Sequence, residues 1–158
     1  MSYELVNPSI ALCRKFSRQF WAKALELARL YGWQPLGTHP TPGLDFSKLG
    51  AEWQGFYLTN DGQVVSAEDA CALAAALERS LEDIPDARLE TDWDFTLCLE
   101  DELPEWLSPA ERELVEGELQ DGLLDILGTH PLDFFAGDEK QHLVQFIRFC
   151  RLGSFEVL

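Results

Sequence analysis

The stretch SAEDACALAAALERSL, residues 66–81, carries the strongest structural signal in the chain. Ser66 is a typical helix N-cap, because its hydroxyl can accept a hydrogen bond from a backbone N–H of the first turn. The acids at positions 68 and 69 also favour a helix N-terminus. Apolar residues at three- and four-residue spacing form one narrow stripe, which comprises Ala70, Leu73, Leu77, Leu81 and Ile84. The stretch therefore predicts an amphipathic helix that packs against a core and ends at Pro85.

Two further helices are predicted on either side of this one. The first begins at Asn7 and Pro8, an N-cap and first-turn pair, and runs to Tyr31. Its apolar face comprises Cys13, Phe16, Phe20, Ala24, Leu27 and Tyr31, and its opposite face carries the bases Arg14, Lys15, Arg18, Lys23 and Arg29. The last helix runs from about Asp138 to Leu152, with Leu143, Phe146, Ile147 and Cys150 facing inward.

A fourth helix and several strands complete the predicted fold. Ser108 and Glu111 form a capping box that predicts a helix ending at Gly128. The predicted strands are a hairpin at Gly55–Val65, an alternating segment at Trp93–Leu99 and a short segment at Phe155–Leu158. We therefore expect one α+β domain, residues 1–158, in which about four main helices dominate and pack on a small antiparallel sheet.

The overall charge excludes several classes of function. The 158 residues contain 28 acids and 12 bases, a net charge of −16. A surface this negative repels nucleic-acid backbones and anionic membranes. No basic N-terminal region precedes an apolar run, and the four cysteines contain no CxxC pair. We therefore expect a cytoplasmic protein with reduced thiols, no cofactor and no metal.

The acids are concentrated in one region. Residues 78–125 contain seventeen acids and three bases, and the helical spacing of the predicted third helix brings several acids onto one stripe. Such a stripe either keeps the protein soluble or attracts a basic partner protein. The candidate partner-binding residues are these acids and two neighbouring tryptophans: Trp93, Glu102, Glu105, Trp106, Glu111, Glu118, Asp121 and Asp125. The favoured hypothesis is a protein-binding module, such as an immunity protein that neutralises a bacterial toxin.

The alternative hypothesis is a small enzyme or ligand-binding domain. Gly-Thr-His-Pro occurs twice, at residues 37–40 and 128–131, so His39 and His130 could act together as bases or ligands beside the Pro/Gly-rich loop. The same tetrapeptide is also typical of a simple turn. The chain lacks a nucleophile elbow, a phosphate-binding loop and a dinucleotide-binding motif, so the sequence favours a non-enzymatic function.

Three phrases carry a resemblance to a known family. They are YGWQPLGT at residues 31–38, NDGQVVSAEDA at 60–70 and FCRLGSF at 149–155. Together they resemble a family of small uncharacterised bacterial proteins. The resemblance implies a bacterial, cytosolic protein and attaches no activity to the chain.

Overall fold

The computed structural model describes residues 2–43, 53, 55–86 and 129–158. The described helices and strands, in chain order, are β1 (Ser2–Asn7), β2 (Leu12–Ser17), α1 (Arg18–Leu30), β3 (Gln63–Val65), α2 (Ala67–Ser80), α3 (Pro131–Phe134), α4 (Glu139–Cys150) and β4 (Phe155–Val157). The predicted α+β class is confirmed. Helices hold more of the described residues than strands do.

The four described strands form one antiparallel sheet in the order β2-β1-β4-β3. Successive side chains of a strand point to opposite faces, so one face carries the buried residues Tyr3, Leu5, Asn7, Gln63, Val65, Phe155 and Val157. Trp21 of α1 packs on this face, with ring centroids 6.1 Å from Tyr3 and 6.3 Å from Phe155. The helices therefore form a second layer on one side of the sheet.

Aromatic side chains fill the space between the two layers. Phe146 of α4 lies edge-on to Trp21 at 5.9 Å and to Phe20 at 5.7 Å. Leu73 and Leu77 of α2 are completely buried beside them. The predicted helices at Ser66 and Asp138 are thus confirmed. Their inward-facing residues are buried except Leu81, which is half-buried, and α2 ends at Ser80 rather than at Pro85. Ser66 caps α2 as expected, because its Oγ accepts the Asp69 N–H at 3.2 Å.

The predicted helix from Asn7 to Tyr31 is wrong in its first half. Residues 2–17 form the β1–β2 hairpin, and α1 begins only at Arg18, where the Ser17 Oγ accepts the Phe20 N–H at 3.1 Å. Strand β1 alternates buried and partly exposed residues from Tyr3 to Asn7, which is a strand period that the Asn-Pro helix signal obscured. Cys13, expected in the core, is exposed on β2, and Phe16 is only half-buried.

The predicted hairpin at Gly55–Val65 is also wrong. Only Gln63–Val65 forms a strand, and it pairs with β4. On its other side Val64 exchanges backbone hydrogen bonds with His39, at 2.7 and 2.8 Å. Gly62 has the positive φ expected of the turn, 77°, but its N–H donates to Val157 rather than closing a local hairpin. Strand β3 therefore pairs with the distant strand β4 instead of with the predicted local partner strand.

Several predictions fall on residues that the structure does not describe. The strand at Trp93–Leu99 and the helix from Ser108 to Gly128 lie outside the described residues.

The final strand at Phe155 is confirmed as β4. The short helix α3 was not predicted. No helix in the described ranges is both long enough and apolar enough to cross a membrane.

Candidate functional site

All of the predicted partner-binding residues lie outside the described residues. This applies to Trp93, Glu102, Glu105, Trp106, Glu111, Glu118, Asp121 and Asp125. They belong to residues 87–128, here called the acidic segment, which has thirteen acids and two bases and so carries −11 of the net charge of −16. The described structure shows how the chain on either side of this segment is held to the core.

Before the acidic segment, the chain is bonded to the start of α4. The Lys140 Nζ donates to the Ile84 carbonyl at 2.9 Å and to the Asp86 carboxylate at 2.8 Å. The Gly137 N–H donates to the Pro85 carbonyl at 3.2 Å. The Lys140 ammonium also holds the pKa of Asp86 below its ordinary value. The two carbonyl contacts fix the backbone two and three residues ahead of the acidic segment.

After the acidic segment, the chain is bonded to a buried lysine. The Lys23 side chain is 1% exposed, and its Nζ donates to the Thr129 carbonyl at 2.5 Å and to the Glu26 carboxylate at 2.8 Å. The sequence placed Lys23 on the helix face opposite the apolar one, but the structure buries it. Seven of the thirteen residues of α1 are buried, so its buried arc is wider than the predicted apolar stripe. A buried ammonium needs polar partners, and here Glu26 and Thr129 are among them.

The acids immediately before the segment have partners on the core. Arg151 donates to both carboxylate oxygens of Glu78, at 3.1 and 2.5 Å, which lowers the pKa of Glu78. The Tyr31 hydroxyl donates to Asp83 at 2.5 Å, and this hydrogen bond raises the pKa of Tyr31 to about 12. Two acids between residues 78 and 86, Glu78 and Asp86, are therefore paired with a cation, and Asp83 accepts a hydrogen bond from a neutral hydroxyl.

A buried carboxylate organises the loop that follows α1. Asp69 is completely buried, and its oxygens accept from the Trp33 indole N–H at 2.9 Å, from the Leu36 N–H at 3.4 Å and from the Tyr57 hydroxyl. The Tyr57 oxygen in turn accepts the Gly37 N–H at 2.9 Å. Burial raises the pKa of Tyr57 well above its ordinary value, and the Asp69 hydrogen bond and charge add to the effect. The hydrogen bonds of Asp69 and Tyr57 to Trp33, Leu36 and Gly37 therefore fix the loop.

The structure gives the two histidines separate local roles. His39 is exposed and pairs with Val64 through its backbone. His130 is the N-cap of α3, and its Nδ1 accepts the Leu132 N–H at 3.3 Å. Neither hydrogen bonds nor ion pairs join the two imidazoles. These contacts are those of turn and cap residues.

The described cysteines do not form a reactive pair. Cys13, Cys71 and Cys150 are free thiols, and Cys98 lies outside the described residues. Burial raises the pKa of the Cys150 thiol well above its ordinary value, which opposes formation of the nucleophilic thiolate. Within the described ranges, no three His, Cys, Asp or Glu side chains are grouped to hold a metal ion.

No family model, curated protein or solved structure matches the chain.

The residues that sequence reasoning missed are Lys23, Lys140 and Asp69. The Asp69 position was seen only as a first-turn acid of α2, and Glu26 three residues after Lys23 was the only local sign of an ion pair.

Proposed function

We propose that this chain is a cytoplasmic protein-binding module that holds a basic protein partner through its acidic segment. In its narrower form the proposal is a bacterial immunity-type inhibitor, which neutralises a basic toxin by covering its working surface. No catalytic step is part of either form.

One observation carries the proposal. Most of the net charge, −11 of −16, falls in residues 87–128, between two points at which the chain is bonded to the core. Like charges at this density repel one another and so cost stability unless a partner neutralises them. A clustered negative field also attracts a positively charged protein and accelerates its encounter.

The hydrogen bonds that hold the backbone on either side of the acidic segment support the same proposal. Lys140 holds the carbonyl of Ile84, and Lys23 holds that of Thr129. A binding segment whose flanking backbone is already fixed loses less conformational entropy when it binds. Trp93 and Trp106 add the large apolar surface that interface anchors require, because charge alone favours fast encounter more than a long-lived complex.

The alternative function, an enzyme or ligand-binding domain built on His39 and His130, has weaker support. His130 already uses its Nδ1 as a helix cap, and His39 is occupied through its backbone. In the described part of the Pro/Gly-rich loop, Leu36 and Gly37 bond to Asp69 and Tyr57, and His39 is held through its backbone rather than through its imidazole. No contact among the described residues favours this second function.

The experiment is a capture assay with the purified protein as bait in an extract of its native host. We expect basic proteins to be enriched at low salt and released at high salt, because salt screens the attraction over about 8–10 Å. The test variant replaces Glu118, Asp121 and Asp125 with Lys. The control variant makes the same change of charge at three exposed acids elsewhere, Asp61, Glu82 and Asp138.

Capture by the wild type and the control variant, but not by the test variant, supports the proposal. Equal capture by all three proteins contradicts it, and so does a partner that stays bound regardless of salt. In that case the acids serve solubility.

A further inference from the structure

Among the described residues, the outer strand of the sheet, β2, has an open edge. Each residue from Leu12 to Ser17 is paired with a residue of β1, and no other described strand pairs with β2. The opposite edge of the sheet is partly covered, because His39 pairs with Val64 of β3. Among the described residues, β2 is therefore the strand that can accept another strand along its length.

The hydrogen bonds of β1 determine which backbone groups of β2 face outward. Glu4 uses both its N–H and its C=O on Leu158, each at 2.8 Å, so it cannot also bond to Lys15 opposite. In an antiparallel pair, bonded and non-bonded positions alternate. Lys15 and Cys13 therefore direct their N–H and C=O away from β1. Ser17 directs only its N–H outward, because it is the N-cap of α1 and its C=O begins the hydrogen bonds of the helix. These three residues form the row of donors and acceptors on the open edge.

The side chains of this edge are basic although the chain as a whole is strongly acidic. Arg14 and Lys15 are exposed, and they lie on opposite faces of the strand. The Lys15 side chain is 68% exposed and contacts Glu4 on β1, which leaves its outer side open. Leu12 and Phe16 lie on the Arg14 face, and both are half-buried against the core.

This arrangement disfavours a second copy of the chain as the occupant. Two β2 strands that pair antiparallel must match outward residues with outward residues. The two most complete registers then place Lys15 opposite its own copy, or Arg14 opposite its own copy. Like charges directly opposite one another destabilise a strand pair. The same two positions favour an acidic strand.

We propose that the open edge of β2 binds an extended acidic peptide segment of a partner protein as a fifth, antiparallel strand. The residues opposite Phe16, Lys15, Arg14, Cys13 and Leu12 would read apolar, acidic, acidic, any and apolar along the partner. The two acids pair with Lys15 on one face and with Arg14 on the other. The apolar residues extend the cover over Phe16 and Leu12. The residues of this site lie outside the acidic segment.

The test uses a blocked seven-residue peptide with the central pattern Val-Glu-Glu-Thr-Val, and a control peptide with Gln in place of both Glu residues. Binding is measured by titration, and hydrogen exchange of the backbone amides is followed by NMR in the ¹⁵N-labelled protein. We expect saturable binding, roughly tenfold weaker for the Gln peptide. The amides of Cys13, Lys15 and Ser17 should exchange quickly in the free protein and slowly in the complex.

Charge variants separate this site from general attraction. Replacing Arg14 and Lys15 together with Gln should weaken binding of the Glu peptide, whereas Arg148→Gln, on an exposed helix position, should not. The proposal is overturned if the Glu peptide shows no saturable binding at about millimolar concentration. Protection of amides elsewhere also overturns it. So does protection of the three edge amides that rises with protein concentration alone, because that result identifies a second copy as the occupant.

Discussion

Replacing Lys23 with Met tests whether the buried ammonium holds the chain that follows the acidic segment. Methionine has similar length and apolar character but cannot donate a hydrogen bond. The Lys23→Met variant leaves the Thr129 carbonyl without this donor and removes the cation 2.8 Å from the Glu26 carboxylate. We therefore expect a large loss of stability with little change in packing.

The magnitude follows from the burial of the two partners. Removing one member of a fully buried ion pair costs about 3–5 kcal/mol. The Glu26 side chain is 16% exposed, so water can solvate part of its charge after the substitution. We therefore expect the free energy of unfolding to fall by about 2–4 kcal/mol, because the freed carboxylate recovers some hydration.

The assay is urea unfolding followed by circular dichroism, with the single variants Lys23→Met and Glu26→Gln and the double variant. The losses in free energy of unfolding of the two single variants should add up to about 1–2 kcal/mol more than the loss of the double variant, because each single change breaks the same contact. Arg148→Met, which removes an exposed cation from α4, is the control and should change stability by less than about 0.5 kcal/mol. A loss below about 1 kcal/mol for Lys23→Met would refute the reasoning.

Three further predictions concern the core, the hairpin and the buried tyrosine. Leu77 is completely buried, so Leu77→Ala should lower the free energy of unfolding by about 2–5 kcal/mol in urea unfolding; a loss below about 1 kcal/mol would place it outside the core. Ala11 has a φ of 51°, in the left-handed region that favours glycine, so Ala11→Gly should raise the free energy of unfolding by up to about 1 kcal/mol. A destabilised variant would show that this φ does not strain the turn. Because the pKa of Tyr57 is raised above its ordinary 10.0, the folded protein keeps a proton that the unfolded chain releases. The stability contributed by this proton is therefore complete below about pH 10 and declines above it. Tyr57→Phe should reduce the decline of the urea midpoint between about pH 8 and pH 11. An unchanged decline would show that Tyr57 does not titrate as argued.

Local signals were sufficient to predict much of the helical layer. Ser66 with its following acids fixed the start of α2, and the spacing of Leu73 and Leu77 identified its buried face. The apolar stripe of α4 identified Phe146 and Cys150 as core residues in the same way. These predictions succeeded because an N-cap and a 3.6-residue period depend only on residues within a few turns.

The errors arose where distant partners decide the structure. Residues 7–17 have a helix start signal and three-residue apolar spacing, but pairing with β1 and the local cap at Ser17 outweigh them. Val64 pairs with His39 and Glu156, neither of which a local hairpin signal can identify. Lys23 is buried partly because the carbonyl of Thr129, 106 residues later, accepts a hydrogen bond from its ammonium. For the candidate site, the acids remain a prediction because they lie outside the described residues, and the sequence did not predict the lysines that hold the flanking backbone.

The most direct test of the central claim is the association rate between this protein and the basic partner isolated by the capture assay. Surface-immobilised binding kinetics should show association at least about tenfold slower when Glu118, Asp121 and Asp125 are replaced by Lys, because clustered charge acts mainly on encounter. The control with Lys at positions 61, 82 and 138 should retain most of the wild-type rate. Raising the salt concentration should slow the wild type more than the test variant. An unchanged association rate in the folded test variant would contradict the account, since the acidic segment would then play no part in attracting the partner.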